Sequence, residues 1–274
     1  MDTIPEHHLF WQGETPLTCV SRIEETPDTT TFVLVAATRQ FFSFLPGQFI
    51  SVSANIDGKA HWRAYSISSS PAQPDTVSIT VRRVAGGLVS NWLLDNVRSG
   101  VELPAMAPAG DFALQAADVP ANIALFSAGC GITPMMSMTR WLLETRTATD
   151  IHFFHSARSE DEFIFRDELQ DLAAQHVNLK LHLFLTQPKG RVDCHRGRLD
   201  AARIAGRVGA AGGRSCRHPG GGRGPRRAAG ARSALTSGSA VERMPRTAPF
   251  RVGIAGVTSL LRMVIPTHSP ALGG

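Results

Sequence analysis

The sequence predicts a β + α/β protein: an antiparallel barrel or sandwich, then a parallel α/β domain, then a segment of different character. Three observations carry this reading. Up to about residue 115 the apolar residues come in short runs between turn residues. After Pro120 short apolar runs alternate with helical ones, and past about Ala205 neither period survives. The 274 residues, 43% of them hydrophobic, suffice for two domains with sizeable cores.

In chain order, residues 31–35 (Thr-Phe-Val-Leu-Val), 48–53 (Gln-Phe-Ile-Ser-Val-Ser) and 77–81 (Val-Ser-Ile-Thr-Val) read as strands, punctuated by Pro46-Gly47, residues 71–74 and residues 108–110. The second region opens with a buried-type strand at 123–127. A helix follows at 134–144, with Met135, Met138 and Leu142 on one face, then a strand at 151–155, a helix at 160–175 and a strand at 179–185. Strands alternating with helices imply parallel pairing through crossovers.

Residues 206–233 hold nine Gly and seven Arg with almost no large apolar side chain, so they cannot bury enough surface to offset their ordering entropy, and disorder is expected. A weakly apolar stretch at 250–266 is interrupted by Arg251, Gly253, Gly256 and Arg262. Residues 201–274 carry twelve Arg against the single acid Glu242, a charge of +11, whereas the whole chain is +5; residues 1–200 are therefore at −6. The basicity belongs to the tail and gives the body no nucleic-acid signature; non-specific contact through the tail is the one exception. The first residues, Met-Asp-Thr-Ile-Pro-Glu-His-His, lack the basic start and apolar core of a secretory signal. No apolar run approaches the ~20 residues of a membrane span, so a cytoplasmic protein with no membrane partner is expected. Four scattered cysteines without a Cys-x-x-Cys pair argue for reduced thiols rather than a disulfide framework or zinc ribbon.

Three clusters carry chemistry. Arg63-Ala64-Tyr65-Ser66 places a guanidinium and an aromatic ring on one face of an extended segment, with a hydroxyl beside them. Such a set can grip a phosphate with two donors, lie against a flat ring system and hydrogen-bond its polar edge. Gly86-Gly87-Leu88-Val89-Ser90-Asn91 precedes Trp92-Leu93-Leu94, a helix start with Ser90 or Asn91 as N-cap. Gly129-Cys130-Gly131-Ile132-Thr133-Pro134 follows a strand and opens a helix, the setting in which a Gly-rich turn meets a nucleotide. Each admits a plainer reading alone, as an edge strand, a capped helix or a tight turn. Cys130 has two readings, a redox thiol at a helix N-terminus or a small residue in a turn. Cys194-His195 and Cys216-x-His218 match no zinc spacing, His152, His155, His176 and His182 read as structural or exposed, and Asp167 and Glu168 as solvated.

Together with Pro46-Gly47-Gln48-Phe49, Pro108-x-Gly110-x-Phe112 and Gly197-Arg198-Leu199, these clusters form an ordered set over roughly residues 15–205 that resembles the ferredoxin-NADP reductase family. The wording of residues 86–94 and 127–141 is most similar to the NADH-dependent reductases of the hybrid cluster protein. The resemblance implies a six-stranded antiparallel FAD-binding barrel over 1–116 and an incomplete NAD(P)-binding α/β domain over 117–205, followed by an aberrant Arg/Gly/Ala-rich tail over 206–274. In that family's pattern Tyr65 stacks on the isoalloxazine, Ser66 lies near N5, and Arg63 with Ala64 holds the pyrophosphate together with Gly87, Leu88, Val89 and Ser90. Gly129, Cys130, Gly131, Ile132 and Thr133 would cradle NADH or NADPH, with Thr133 near the nicotinamide and Arg158 at the adenosine ribose. Ser66 and Thr133 would be the catalytic pair. Hydride would pass from nicotinamide to flavin, and single electrons would leave to an iron-sulfur protein such as the hybrid cluster protein.

The chain departs from the family in having no Cys-Gly-Pro segment and no Cys-x4-Cys-x2-Cys ligand set for a [2Fe-2S] cluster. With the abrupt change of composition, this reads as a shifted reading frame past residue 205, which would leave FAD binding intact and impair nicotinamide binding and turnover. Two alternatives stand beside the hybrid-cluster role. One is the reductase component of a multicomponent oxygenase; the other is a catalytically impaired flavin-binding remnant whose basic tail binds anions.

Overall fold

The computed structural model describes residues 10–13, 15–36, 40–146, 148–189, 194–197 and 251–255. Six strands build the first domain: β1 (Leu17–Thr26), β2 (Thr29–Ala36), β3 (Phe49–Ile56), β4 (Lys59–Ser66), β5 (Val77–Arg82) and β6 (Glu102–Leu103), with α1 (Leu88–Asn96) between β5 and β6. All pair antiparallel, in a four-stranded sheet ordered β5-β2-β1-β6 and a two-stranded sheet β3-β4. Single bridges at Val52–Ala105 and Ile67–Ile79 link the two into a barrel-like wall. The β3-β4 hairpin turns on Asp57-Gly58, with φ of 50° and 76°, the two-residue turn whose twist matches the flanking strands.

Inward positions of these strands form one core. Phe32, Leu34, Ile50, Val52, Ile67 and Ile79 are fully buried, each contributing about 1.5–3 kcal/mol of transfer free energy. Helix α1 closes that core with Val89, Leu93 and Leu94. Its last carbonyls are satisfied by arginines, Arg22 Nη1 donating to Leu94 O at 2.6 Å and Arg98 Nη1 to Val97 O at 2.8 Å, the charge sign a helix C-terminus favours.

The second domain is a parallel sheet. β7 (Asn122–Ala128), α2 (Ile132–Thr145), β8 (Asp150–Ala157), α3 (Arg166–Gln175), β9 (Leu179–Leu185) and β10 (His195–Arg196) follow in order, and β11 (Arg251–Ala255) joins on the far side of β7. The strand order is β10-β9-β8-β7-β11. Alternate strand residues Ile123, Leu125, Ile151, Phe153, Leu181 and Leu183 share a core with Met135 and Leu142 of α2 and Leu169 of α3. The intervening residues Phe126, Phe154 and His182 stack face to face on the opposite side, at 4.7 and 4.4 Å between centroids.

The sequence reading needs three corrections here. The expected helix at 160–175 is a 3-10 turn at Glu160–Glu162 and then α3, because Phe163, Ile164 and Phe165 are all buried in succession, which no single helical face allows; Phe165 takes a left-handed φ of 57° to do so. The N-cap of α1 is Gly87, not Ser90 or Asn91. Within the segment read as an aberrant tail, residues 251–255 pair with β7 along its length, giving that strand's outer backbone groups hydrogen-bond partners. Residues 206–233 and the Cys216-x-His218 pair lie outside the described residues.

Glycines with positive φ divide by surroundings. At Gly47, φ 104°, a Cβ would stand 2.5 Å from both Met138 Cε of α2 and the Phe112 carbonyl oxygen, whereas at Gly58 it would meet nothing. Gly58→Ala is expected to cost about 1 kcal/mol of backbone strain and Gly47→Ala clearly more, measured by denaturant unfolding. Equal costs would show that the contact between Gly47 and α2 is absent in solution.

Candidate functional site

Strand β4 is the exposed wall of the first domain. Trp62, Arg63 and Ala64 are solvent-exposed, Tyr65 and Ser66 are half-buried, and the pairing with β3 sets Arg63 opposite Val52 and Tyr65 opposite Ile50. Arg63 donates Nη1 to the Trp62 carbonyl at 2.7 Å and is otherwise open to solvent. Burial of the Tyr65 ring pushes its phenol up to about 12, against an opposing pull from Arg63, so the ring is a neutral face at any physiological pH.

Helix α1 packs against β3, β4 and β5, which brings the Gly86–Asn91 region to the same strand. Its entry is a tight turn in which Gly87 N donates to Val84 O at 2.8 Å. Asn91, read as a cap, instead grips the Val84 backbone twice, accepting from its N–H at 3.2 Å and donating to its carbonyl at 2.9 Å. Gly87 has no room for a side chain, since a Cβ would lie 2.6 Å from Ser90 Oγ. Val89 is buried, so only its backbone can serve a ligand, while Leu88 is exposed. The helix starts with no side-chain cap and no acid in its first turn.

The third turn has the same character. A 3-10 turn at Gly129–Gly131 leads from β7 into α2, which also begins without a side-chain cap or a first-turn acid. By contrast α3 carries Asp167 and Glu168 in its first turn. Two helices thus present leading amides and partial positive charge with nothing of their own to neutralise it, which fits the phosphates of a dinucleotide. Thr133 is buried, its hydroxyl donating to the Cys130 carbonyl at 3.1 Å. Gly129, φ 50°, has no heavy atom within 4 Å of where a Cβ would be, so its space is open to a ligand.

Beside Gly129 lies a cleft of about 490 Å³ at the carboxyl ends of β7, β8 and β9, lined by Ser127, Ser156, Arg82, Arg158, Glu162 and Thr186 among others. In an open α/β sheet this edge is where ligands bind. Glu162 accepts from Arg82 Nη2 and from Arg158 Nε, both at 2.9 Å, and Arg82 Nε reaches Asp28 of the first domain at 2.8 Å. Partial burial raises the Glu162 and Asp28 carboxyls, yet their hydrogen bonds, chiefly from Arg82 for Glu162 and from Thr26 and Arg82 for Asp28, hold both below the usual range. Cys130 is exposed at the surface with its thiol against Arg82; desolvation around the sulfur pushes the thiol up, and the Arg82 charge pulls it back in part.

Of the nominated residues, the cleft gathers Gly129 and Arg158, whereas Arg63, Ala64, Tyr65 and Ser66 lie on β4 with Gly87, Leu88, Val89 and Ser90 beside them. The 3-10 turn touches β5, the strand that α1 and β4 also contact. Sequence reasoning missed Arg82 and Glu162, and it missed Ser127, whose hydroxyl lies 2.8 Å from His155 Nδ1. It also misread Glu168 as solvated: Arg140 holds both its oxygens, at 2.8 and 2.6 Å. Among the described residues no group of three or more His, Cys, Asp or Glu could hold a metal.

His155 is fully buried with Nε2 unpartnered, and burial alone lowers its pKa from 6.5 to about 3. The unfolded chain therefore binds the extra proton between those values, and stability is lost as pH falls from about 6.5 towards 3. Between pH 7 and pH 5 the protein should lose about 2 kcal/mol more than His155→Gln does, read by denaturant unfolding. Parallel losses in the two proteins would mean that His155 is solvated.

Comparison with known proteins places this geometry. An oxidoreductase FAD-binding domain matches residues 16–114 and an oxidoreductase NAD-binding domain residues 125–211. The glycine betaine monooxygenase reductase subunit of Pseudomonas aeruginosa is 48% identical over 166 residues, 60% of this chain and 45% of that protein. The stachydrine N-demethylase reductase subunit of Rhizobium meliloti is 37% identical over 180 residues, 65% of this chain and 50% of that one. The chain thus spans about half the length of these curated relatives. The crystal structure of the flavohem-like FAD/NAD binding domain of nitric oxide dioxygenase from Vibrio cholerae superposes with a TM-score of 0.63 at 27% identity, covering 69% of this chain and 80% of that one. With both halves of the architecture and both nucleotide-binding domains matched in order, the chain belongs to the ferredoxin-NADP reductase family, an FAD-binding oxidoreductase domain followed by an NAD-binding one.

Proposed function

We propose that this chain is an FAD-dependent NADH oxidoreductase that passes electrons on to a protein acceptor of an oxygenase system. The observation that carries this is the pair of helix N-termini without caps or acids, one beside the Arg63–Tyr65 face of β4, the other at the sheet-edge cleft. When bound, the nicotinamide supplies a hydride and the flavin accepts it, releasing electrons one at a time. The chain's own residues bind and orient. Tyr65 offers a neutral ring face, Ser66 a hydroxyl at its edge, and Arg63 a guanidinium that pairs with no carboxylate among the described residues and can turn to phosphate. Gly87, whose own N–H is held by the Val84 carbonyl, lets the backbone come close without a side chain, and the amides of Leu88, Val89 and Ser90 serve the same FAD.

For the nicotinamide cofactor we assign Gly129, Cys130, Gly131, Ile132 and Thr133 to the phosphates and the nicotinamide end, and Arg158 to the ribose. An acceptor in an oxygenase system is favoured over the hybrid cluster protein because the reported relatives are reductase subunits of a monooxygenase and of a demethylase. Cys19 and Cys130, which are free thiols, suit a reducing cytoplasm, where NADH is supplied.

Purified protein should carry flavin absorbance that bleaches on anaerobic titration with NADH. Colourless protein that takes up no FAD, or bound flavin that NADH leaves oxidised, would sink this reading. Tyr65→Ala should weaken FAD retention roughly 10-fold or more, the scale of one lost aromatic stack plus its buried area, by equilibrium dialysis. Unchanged retention would remove the stacking role.

A further inference from the structure

We propose that Ser137, Arg140 and Glu144, one stripe along α2, are positioning residues that dock the NAD-binding domain onto residues 68–73 of the FAD-binding domain. The docking fixes the Gly129–Thr133 turn against the Tyr65–Ser66 face. This rests on the function proposed above and adds to it the part of the chain that sets the separation of the two bound groups.

Four contacts make the dock. Arg140 Nη1 donates to the Ser68 carbonyl, Ser137 Oγ donates to the Ser69 carbonyl at 2.7 Å, Ser70 Oγ donates to Glu144 Oε2, and Gln73 Nε2 donates to Glu144 Oε1 at 2.6 Å. Positions 137, 140 and 144 fall at i, i+3 and i+7, one face of a helix. Arg140 is held from behind, its Nε and Nη2 bound to both Glu168 oxygens and its guanidinium 5.2 Å from the Phe165 ring centroid. Phe165 is the residue whose left-handed φ breaks the expected helix, so that break places a ring under the docking arginine. The Glu25 carboxylate of β1 also faces Arg140 and Glu168, from the first domain.

The dock is a short cut between the two halves of the site. Along the chain Tyr65 and Thr133 are separated by the whole stretch from β5 to β7. Through the dock, four residues link Tyr65 to Ser69, a hydrogen bond of 2.7 Å links Ser69 to Ser137, and one turn of α2 links Ser137 to Thr133. Past the end of β4 the link is held by the Ile67–Ile79 bridge and by Ser68 N donating to Ser78 O at 2.8 Å, and the rest is one helical turn, so a displacement of α2 passes to the cradle with little loss. A misplacement of about 1 Å between reacting groups can cost on the order of 100-fold in rate.

The test compares Ser137→Ala, Arg140→Met and Glu144→Ala with the unaltered protein, and adds Ser137→Thr, which keeps the hydroxyl. Backbone amide exchange over residues 68–73, followed by mass spectrometry on protein without nicotinamide, reads the dock itself. Stopped-flow flavin reduction at saturating NADH reads its consequence. We expect exchange over 68–73 to speed up, FAD content and NADH affinity to stay within about twofold, and the reduction rate to fall about 10- to 100-fold, with Ser137→Thr near the parent. Unchanged exchange in all three variants would overturn the dock. Faster exchange with an unchanged reduction rate would reduce it to a structural contact and overturn the positioning role. A parent protein that holds no reducible flavin would instead defeat the proposed function, and the exchange measurement would still decide whether the dock exists.

Discussion

Two helices that begin with bare backbone amides set the terms for the rest of this structure. A helix start without a capping side chain forgoes about 0.5–2 kcal/mol of stability, and α1 and α2 both do so, each also lacking a first-turn carboxylate. α3 also starts without a side-chain cap but carries Asp167 and Glu168 in its first turn, and α1 receives Arg22 and Arg98 at its other end. Helix α1 is thus compensated at its C-terminal end, and both α1 and α2 are left open at the ends that face β4 and the sheet-edge cleft. That asymmetry is what an external anion would repair, and a dinucleotide brings two phosphates in one group.

Open helix ends are useful only if they are held. The barrel supplies a closed core beneath α1, and α2 is pressed between the parallel sheet and the first domain. The interface is polar, built from Ser, Arg, Glu and backbone carbonyls, with Asp28–Arg82–Glu162 as a second tether. Polar contacts of this kind contribute little net stability individually, yet they are directional, and direction is what a fixed spacing between two binding stations needs.

How much of this could be read from the residues alone follows from what side-chain patterns encode. The alternation of strands and helices after Pro120 and the glycine turns were legible, because burial imposes a period and tight turns demand glycine. The dock was not. Ser137, Arg140 and Glu144 look like an ordinary solvated helix face, and two of their partners are main-chain carbonyls, which every residue possesses. Glu168 was misread for the same reason, its partner Arg140 lying on another helix. The break at Phe165 was missed because a run of three buried residues is compatible with several local conformations until the neighbouring helix is in place. The pairing of β11 with β7 was hidden by the arginine-rich composition around it, since a strand at a sheet edge is recruited by unpaired backbone as much as by its own side chains.

The glycines show why a motif needs its surroundings. Gly47 and Gly110 take positive φ with neighbours so close that a Cβ would strike Met138 and the Phe112 carbonyl, or the Phe49 ring at 2.9 Å; there glycine serves packing. Gly129 also takes positive φ, but the place of its missing Cβ is empty. It stands at the end of β7, which has β8 on one side and β11 on the other. The sheet-edge cleft opens at that strand's carboxyl end, beside Ser127, Ala128 and Gly129. Space left by glycine inside a core is filled by the protein, whereas at Gly129, as at Gly58, Gly86 and Gly100, it stays open, and of these four Gly129 is the one that lines the sheet-edge cleft.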